Sequence, residues 1–149
     1  MTFAQTVLAP AALGFVLGSI PFGVIASRLF YGRDLRSAGS GNIGAANALR
    51  THGLAFGVLV LVLDALKGAA AVLLARALLG GEPAAAVAAA AAVLGHCYTP
   101  WLRFRGGKGV ATLLGALAAL TPLAGLVFAL VWLLAVLPSR FSSLGSLLA

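Results

Sequence analysis

Charged residues are scarce in this chain of 149 residues: they make up 9% of the sequence, whereas soluble domains carry about 25%. Only three residues are acidic, and 62% of all residues are hydrophobic. These values argue strongly against a soluble globular domain and indicate a membrane protein. The excess of basic residues does not indicate nucleic-acid binding, because the chain has too little polar surface to build a basic binding face.

The chain has a single cysteine, Cys97, which excludes an intramolecular disulfide and a zinc site built from cysteines. The sequence also lacks the motifs G-x-S-x-G and H-E-x-x-H. Neither histidine is followed by aspartate after four intervening residues, because Gly57 follows His52 and Trp101 follows His96 at that spacing. The arrangement of the common acyl-CoA-dependent glycerolipid acyltransferases is therefore absent, and neither a metal nor a cofactor is predicted.

Long uncharged stretches occupy residues 1–27, 51–63, 83–102 and 109–139. About 20 helical residues cross a bilayer, so the first and third stretches predict one span each. The second is too short alone and predicts a span over 54–79 that includes Asp64 and Lys67. In the fourth, Thr121-Pro122 favours two short helices that meet near Thr121, because proline disfavours helix at the preceding residue; one strongly tilted helix is the alternative.

The predicted fold class is all-α: a polytopic helical membrane protein with about five spans plus the start of another, in one domain over residues 1–149. Segment 141–149 is too short to cross, so either it lies on the interface or the chain is the front part of a longer protein. Three predicted loops, 28–53, 101–108 and 138–141, hold eight of the ten basic residues, and loop 80–83 holds none. The positive-inside rule then places the N-terminus outside and the basic loops in the cytoplasm.

The first basic loop is a candidate anion site. Three of its glycines formally match G-x-G-x-x-G: Gly39, Gly41 and Gly44. A dinucleotide-binding unit is rejected because no strand precedes the loop. A glycine-rich loop that leads into a helix still offers amides to an anion, and Gly44, Asn47 and Arg50 lie within about 60° on that helix, beside Ser40. The alternative is a flexible loop with an arginine on the cytoplasmic side.

The second basic loop is another candidate anion site, because Gly106, Gly107 and Gly109 allow close backbone approach and Lys108 supplies a charge. It is not a nucleotide-binding Walker loop, since the spacing fails. Two further cations of this loop, Arg103 and Arg105, are interpreted as membrane anchors near Trp101 and Phe104.

Two other groups of polar residues lie near helix ends or inside a span. Asp64 and Lys67 are three residues apart on one helix face, so they are either a structural ion pair or a support for the site. His52 and His96 are each interpreted as hydrogen-bonded or capping residues rather than as catalysts.

Four ordered motifs in this small multi-span chain resemble the bacterial membrane acyl-phosphate:glycerol-3-phosphate acyltransferases. They lie at residues 18–23, 39–50, 64–68 and 95–112, so the resemblance covers most of residues 14–145. It implies transfer of a fatty acyl group from acyl phosphate to the 1-hydroxyl of sn-glycerol 3-phosphate, which forms lysophosphatidic acid for phospholipid synthesis. It also implies a bacterial inner membrane protein with a cytoplasmic active site and no coenzyme A.

The resemblance assigns roles to individual residues. The expected catalytic residues are Ser40, Arg50 and Lys108. The expected substrate-binding residues are Gly39, Gly41, Asn42, Gly44, Asn47, His96, Gly106, Gly107 and Gly109, with Asp64 and Lys67 in support. Ser40 is not expected to become acylated, because the sequence shows no base for it. The expected partners are the two substrates, membrane lipid and a soluble enzyme that produces acyl phosphate.

The chain departs from this family at its end. Members continue to a third motif with His, Asn and Glu, so this chain is expected to be incomplete at its C-terminus. The alternative function is a small non-enzymatic anion transporter or channel. A transporter would place ionisable groups near the bilayer midplane, whereas the basic clusters here lie at one surface, which favours the enzyme.

Overall fold

The computed structural model describes residues 2–139. Within that range it contains seven α-helices and no β-strand, as the all-α fold class predicted. The helices are α1 (Ala9–Ser19), α2 (Phe22–Tyr31), α3 (Ala45–His52), α4 (Leu54–Ala75), α5 (Gly81–Cys97), α6 (Val110–Leu120) and α7 (Pro122–Ser139). The expectations for Arg140 and for segment 141–149 fall outside the described residues.

Proline interrupts the helical path at two places. Ile20 is extended (φ −62°, ψ 116°) before Pro21, so the predicted first span consists of two helices, α1 and α2. Thr121 is extended (φ −145°, ψ 100°) before Pro122, where α6 ends and α7 begins. The prediction of two helices that meet near Thr121 is confirmed, and the single tilted helix is wrong, because proline has no amide donor and disfavours helix before it.

Helices α4 and α5 are consecutive elements that pack against each other. A π-helical turn, Arg76–Gly80, continues α4, so the helix predicted over 54–79 is confirmed to within a residue. The loop predicted over 80–83 is too long, because α5 already begins at Gly81, and Pro83 lies in its first turn. Proline is tolerated there, since first-turn amides have no helical acceptor.

Small residues line the contacts between helices. A side chain added at Gly14 or Gly18 of α1 would collide with the backbone of Ala88 or Ala92 on α5. Gly115 of α6 lies equally close to the Ala65 carbonyl of α4. The alanine-rich segment of α5 is thus a close-packing face, and the bundle is assembled by close backbone approach, which is typical of helices in membranes.

The outer surface of the bundle is apolar. Large exposed side chains include Val16, Leu66, Leu73, Leu94 and Leu134. Two helical runs, Ala4–Tyr31 and Leu54–Leu102, are long and apolar enough to cross a bilayer, and Val110–Leu120 and Pro122–Leu137 are shorter apolar helices. Exposed apolar helices around an interior of small residues suit a lipid environment.

Arg76 links the first turn of α5 to the last turn of α6. Its Nη1 donates to the carbonyl oxygen of Ala119 at 2.8 Å, and its Nε lies 2.7 Å from Glu82 Oε1. Ala119 belongs to the last turn of α6, whose carbonyls have no helical donor. Arg76 therefore caps α6 next to the break at Thr121.

We expect Gly14→Leu to destabilise the protein by about 1 to 3 kcal/mol, because the new side chain must push α1 away from α5. The measurement is the thermal unfolding midpoint of the purified protein in detergent. Ala12→Leu is the matched control, since it adds the same side chain at an exposed position of α1. Equal midpoints for the two variants would contradict the close packing of α1 and α5.

Candidate functional site

The loop between α2 and α3, residues 32–44, is called loop A here, and a charge cluster fixes its beginning. Asp34 accepts from Nε and Nη2 of Arg36 at 3.0 and 2.8 Å, and from Nη2 of Arg28 at 2.6 Å. The hydrogen-bonded Arg36 guanidinium, helped by Arg28, holds the pKa of the Asp34 carboxyl well below its usual range. Its contribution to stability is therefore complete above the ordinary pKa of 3.8 and is lost only as the pH falls toward the lowered value.

Asn47 of α3 organises the rest of loop A. Its side-chain Nδ2 donates to the carbonyl oxygens of Leu35, Ala38 and Asn42 at 3.0, 3.2 and 2.8 Å. Its Oδ1 accepts from the backbone amide of Ser40 at 2.8 Å, and only 1% of the residue is exposed. The carboxamide is fully used inside the protein, so the structure gives Asn47 a positioning task in place of the direct substrate contact that was predicted.

Two glycines of loop A have backbone conformations that other residues rarely adopt. Gly39 and Gly41 have φ values of 62° and 71°. A side chain at Gly39 would also collide with Oδ1 of Asn47. These glycines therefore allow the chain to turn tightly around Asn47 and to expose Ser40.

The loop between α5 and α6, residues 98–109, is called loop B here, and it meets loop A at a polar depression. This first depression has a volume of about 510 Å³. It is lined by Asp34, Arg36, Ser37, Ser40, Gly41, Asn42, Arg105 and Gly106. The structure thus brings together Ser40, Gly41, Asn42 and Gly106 from the predicted site.

Ser40 and Arg105 offer free polar groups to the first depression. Within residues 2–139, neither the Ser40 hydroxyl nor the Arg105 guanidinium makes a hydrogen bond or ion pair. The anchoring interpretation of Arg105 did not anticipate this position, and Arg36 was not predicted as a site residue at all. The sequence signal that could have placed Arg36 and Arg105 in the site is that both lie next to the glycine-rich motifs.

Arg50 lines a second depression on the other side of loop A, with a volume of about 630 Å³. Its lining residues are Tyr31, Arg33, Asp34, Leu35, Ser37, Ala38, Gly39, Arg50, Thr51 and His52. Ser40 and Arg50 therefore face different depressions, which share Asp34 and Ser37. His52 is hydrogen-bonded, as predicted: its Nε2 lies 3.2 Å from Ser27 Oγ, and its ring stacks on Tyr31.

Loop B is held against the end of α5 by its backbone. The amides of Gly106 and Gly107 donate to the carbonyl oxygens of Cys97 and His96 at 3.0 and 3.1 Å. These two amides are thus already engaged, and Gly44 N likewise donates to Asn42 Oδ1 at 2.9 Å. Lys108 is exposed and lines neither depression.

Gly109 has a φ of 76° and immediately precedes α6. A side chain there would press against Val93 and Cys97 of α5. Gly109 therefore allows loop B to turn into α6 while staying close to α5.

Three buried polar side chains lie behind loop B. The Lys67 Nζ is 2.9 Å from Asp64 Oδ1 and donates to the Ile20 carbonyl oxygen at 2.7 Å. The His96 Nδ1 lies 3.8 Å from the same carboxylate oxygen. The predicted ion pair of Asp64 and Lys67 is present, and it bonds to the break between α1 and α2. Among residues 2–139, no group of three or more His, Cys, Asp and Glu side chains is placed to hold a metal ion.

Comparison with known proteins gives consistent similarities. A family model described as glycerol-3-phosphate acyltransferase matches residues 8–149. A glycerol-3-phosphate acyltransferase of Agrobacterium fabrum is 53% identical over 147 residues, which are 98% of this chain and 71% of the relative. The corresponding protein of Myxococcus xanthus is 54% identical over 138 residues, covering 92% of this chain and 72% of the relative.

Solved structures of glycerol 3-phosphate acyltransferases are also similar to this chain. The chain is similar to PlsY (YgiH), an integral membrane glycerol 3-phosphate acyltransferase, in its glycerol 3-phosphate form. The TM-score is 0.84 at 43% identity, over 93% of this chain and 70% of that one. Against the lysophosphatidic acid form the TM-score is 0.82 at 40% identity, with coverage of 93% and 69%.

We expect the buried ion pair of Asp64 and Lys67 to show a large coupling energy in the free energy of unfolding. Asp64→Asn or Lys67→Met alone leaves one buried charge without its partner, which costs about 3 to 5 kcal/mol, whereas the double variant should cost much less than the sum. The measurement is the free energy of unfolding in mixed detergent micelles.

The same cycle with Glu82→Gln and Arg76→Gln is the control for this pair. Glu82 is mostly exposed, so we expect a coupling energy of about 1 kcal/mol or less there. Additive costs for Asp64→Asn and Lys67→Met would contradict the buried ion pair.

We expect Asn47→Leu to release loop A, because the amide of Ser40 and three carbonyls lose their common partner. The measurement is amide hydrogen exchange over residues 38–42, which should become faster than in the wild type. Ala46→Ser, at an exposed position of the same helix, should leave the exchange unchanged. Unchanged protection in Asn47→Leu would show that loop A does not depend on the carboxamide.

Proposed function

We propose that this chain, which belongs to the glycerol-3-phosphate acyltransferase family, transfers a fatty acyl group to the 1-hydroxyl of sn-glycerol 3-phosphate. The product is lysophosphatidic acid. Family membership confirms the resemblance found in the four motifs. The related PlsY structures are described in glycerol 3-phosphate and lysophosphatidic acid forms, which are an acceptor and a product of such a transfer. This similarity favours the enzyme over the anion transporter that was the alternative.

One observation of this structure carries the proposal: a free serine hydroxyl lies beside guanidinium groups where loops A and B meet. Ser40, Arg36 and Arg105 line the first depression, and Arg50 lines the adjacent one. Arginine binds phosphate oxygens through a planar set of donors. This arrangement suits a substrate that carries a phosphate monoester and presents a hydroxyl to a second molecule.

The proposed acyl donor is an acyl phosphate, so that both substrates carry a phosphate. Two adjacent depressions with separate arginines, Arg105 in the first and Arg50 in the second, supply cations for two such groups. Lys108 lies on loop B and supplies a further charge to a phosphate held at its edge. The proposed assignment of Arg50 and Lys108 as catalytic residues rests on this charge and on their positions in the family motifs.

The proposed reaction needs positioning more than it needs a protein nucleophile. The hydroxyl oxygen of glycerol 3-phosphate bonds to the acyl carbon, and the bond from that carbon to the phosphate oxygen breaks. Phosphate leaves with the electron pair, and the hydroxyl proton passes to it or to solvent. Holding the hydroxyl next to the acyl carbonyl and stabilising the developing negative charge are both recognised sources of acceleration.

Ser40 is proposed to stabilise or orient a substrate oxygen, without becoming acylated. A serine nucleophile needs an adjacent base to remove its proton. Within residues 2–139, no histidine or carboxylate contacts the Ser40 hydroxyl. Asn42 of loop A and Gly106 of loop B line the same depression and complete the proposed binding surface.

Like its solved relatives, the chain is an integral membrane protein. We assign the site to the cytoplasmic face of a bacterial inner membrane, because the cations of loops A and B gather at one end of the bundle. A site at that face would receive glycerol 3-phosphate from water and the acyl donor from the lipid boundary or from a soluble enzyme that produces it.

We expect membranes containing this chain to acylate labelled glycerol 3-phosphate with acyl phosphate and to give no product with acyl-CoA. Ser40→Ala and Lys108→Ala should each lower the rate about 100-fold, the loss typical of one donor that stabilises a transition state. The measurement is the amount of labelled lysophosphatidic acid formed per unit of membrane protein.

Arg103→Gln is the matched control, because Arg103 is an exposed cation of loop B that is interpreted as a membrane anchor; it should retain the wild-type rate. Equal product from acyl-CoA would contradict the proposed donor. Absence of product with both donors would contradict the proposed function of these 149 residues. An acyl group trapped on Ser40 would contradict the direct transfer.

A further inference from the structure

His96 is a buried histidine directly behind loop B, and only 3% of it is exposed. It lies in the last turn of α5 and lines neither depression. The predicted role as a substrate-binding residue requires a surface that this side chain does not reach in the structure. The side chain must therefore influence the site through the residues that it touches.

The imidazole and the backbone of His96 both contact loop B. Its carbonyl oxygen accepts from the amide of Gly107 at 3.1 Å. The ring nitrogen Nε2 lies against Gly107 so closely that a side chain there would collide with it, and a side chain at Gly106 would collide with the His96 carbonyl. The ring therefore packs against Gly107, and the His96 backbone packs against Gly106.

The other ring nitrogen faces the buried ion pair. Nδ1 of His96 lies 3.8 Å from Asp64 Oδ1 and has no hydrogen-bond partner within the described residues. The same carboxylate oxygen lies 2.9 Å from the Lys67 Nζ, which donates to Ile20 O. The ring thus lies between Asp64 on one side and Gly107 on the other.

We propose that His96, oriented by Asp64, is a positioning residue that sets the backbone of Gly106 and Gly107 for a phosphate monoester at the edge of loop B. Gly106 lines the first depression, and Lys108 follows these glycines directly. A displacement of this backbone would change the shape of the first depression and the position of Lys108. The inference rests on the proposed function for its ligand, glycerol 3-phosphate, but its structural part does not.

The test compares His96→Ala, His96→Gln and His96→Asn in the full chain. We expect His96→Ala to raise the KM for glycerol 3-phosphate about 10- to 100-fold, the range for a small misplacement of binding groups, with little change in the KM for acyl phosphate. Glutamine can place a nitrogen where Nε2 lies, so His96→Gln should recover more of the affinity than His96→Asn.

Amide hydrogen exchange of Gly106 and Gly107 tests the same proposal without any reaction. Exchange should be faster in His96→Ala than in the wild type. Thr112→Val is the matched control: Thr112 is buried on α6, its hydroxyl has no hydrogen-bond partner in the described residues, and valine has nearly the same shape. It should change neither the exchange nor either KM.

The outcomes separate the two proposals. If wild-type membranes make no lysophosphatidic acid, the proposed function fails, and the exchange experiment still decides the role of His96. Wild-type exchange at Gly106 and Gly107 in His96→Ala would overturn the positioning role. An equal rise in both KM values, unrelieved by glutamine and accompanied by a lower unfolding midpoint, would indicate a general structural role and would also overturn it.

Discussion

Asp64 and Lys67 are opposite charges buried together inside an apolar bundle, and the cost of desolvation requires them to remain paired. Lys67 also donates to Ile20 at the break between α1 and α2, and Asp64 faces His96 at the end of α5. Both charges lie on α4, so separation of these regions would leave the ion pair intact but would remove the Ile20 carbonyl from Lys67 and His96 from Asp64. Loop B is bonded to the end of α5, so its position depends on the packing of α5 against α4, where His96 faces Asp64.

The two loops of the candidate site are shaped by different helices. Loop A wraps around the carboxamide of Asn47 on α3, whereas loop B is bonded to the last residues of α5. Neither loop has regular secondary structure over most of its length, so tertiary hydrogen bonds and tightly turning glycines replace it. The first depression exists because α3 and α5 both pack on α4. The helix packing thus determines the distance between Ser40 on loop A and Gly106 on loop B.

Sequence patterns predict the parts of this structure that depend on local rules. Proline predicts the break at Thr121, and the hydrophobic length predicts the end of α4 with its π-helical continuation to within a residue. The use of Asn47 could not be predicted in this way, because its partners lie 5 to 12 residues earlier in a loop without periodicity. Arg105 was interpreted as an anchor for the same reason: its neighbour Ser40 is distant in sequence, and only the contact between loops A and B brings them to one depression.

The distribution of charge explains why one end of the bundle suits anions. All three acidic residues of the chain are paired: Asp34 with Arg28 and Arg36, Asp64 with Lys67, and Glu82 with Arg76. Within residues 2–139, the cations that have no such partner are Arg33, Arg50, Arg103, Arg105 and Lys108. All five belong to α3 or to loops A and B, where water and the lipid headgroups can solvate them. An incoming phosphate therefore meets guanidinium and ammonium groups that need not first give up a carboxylate, and this lowers the cost of binding the phosphate groups of the two proposed substrates.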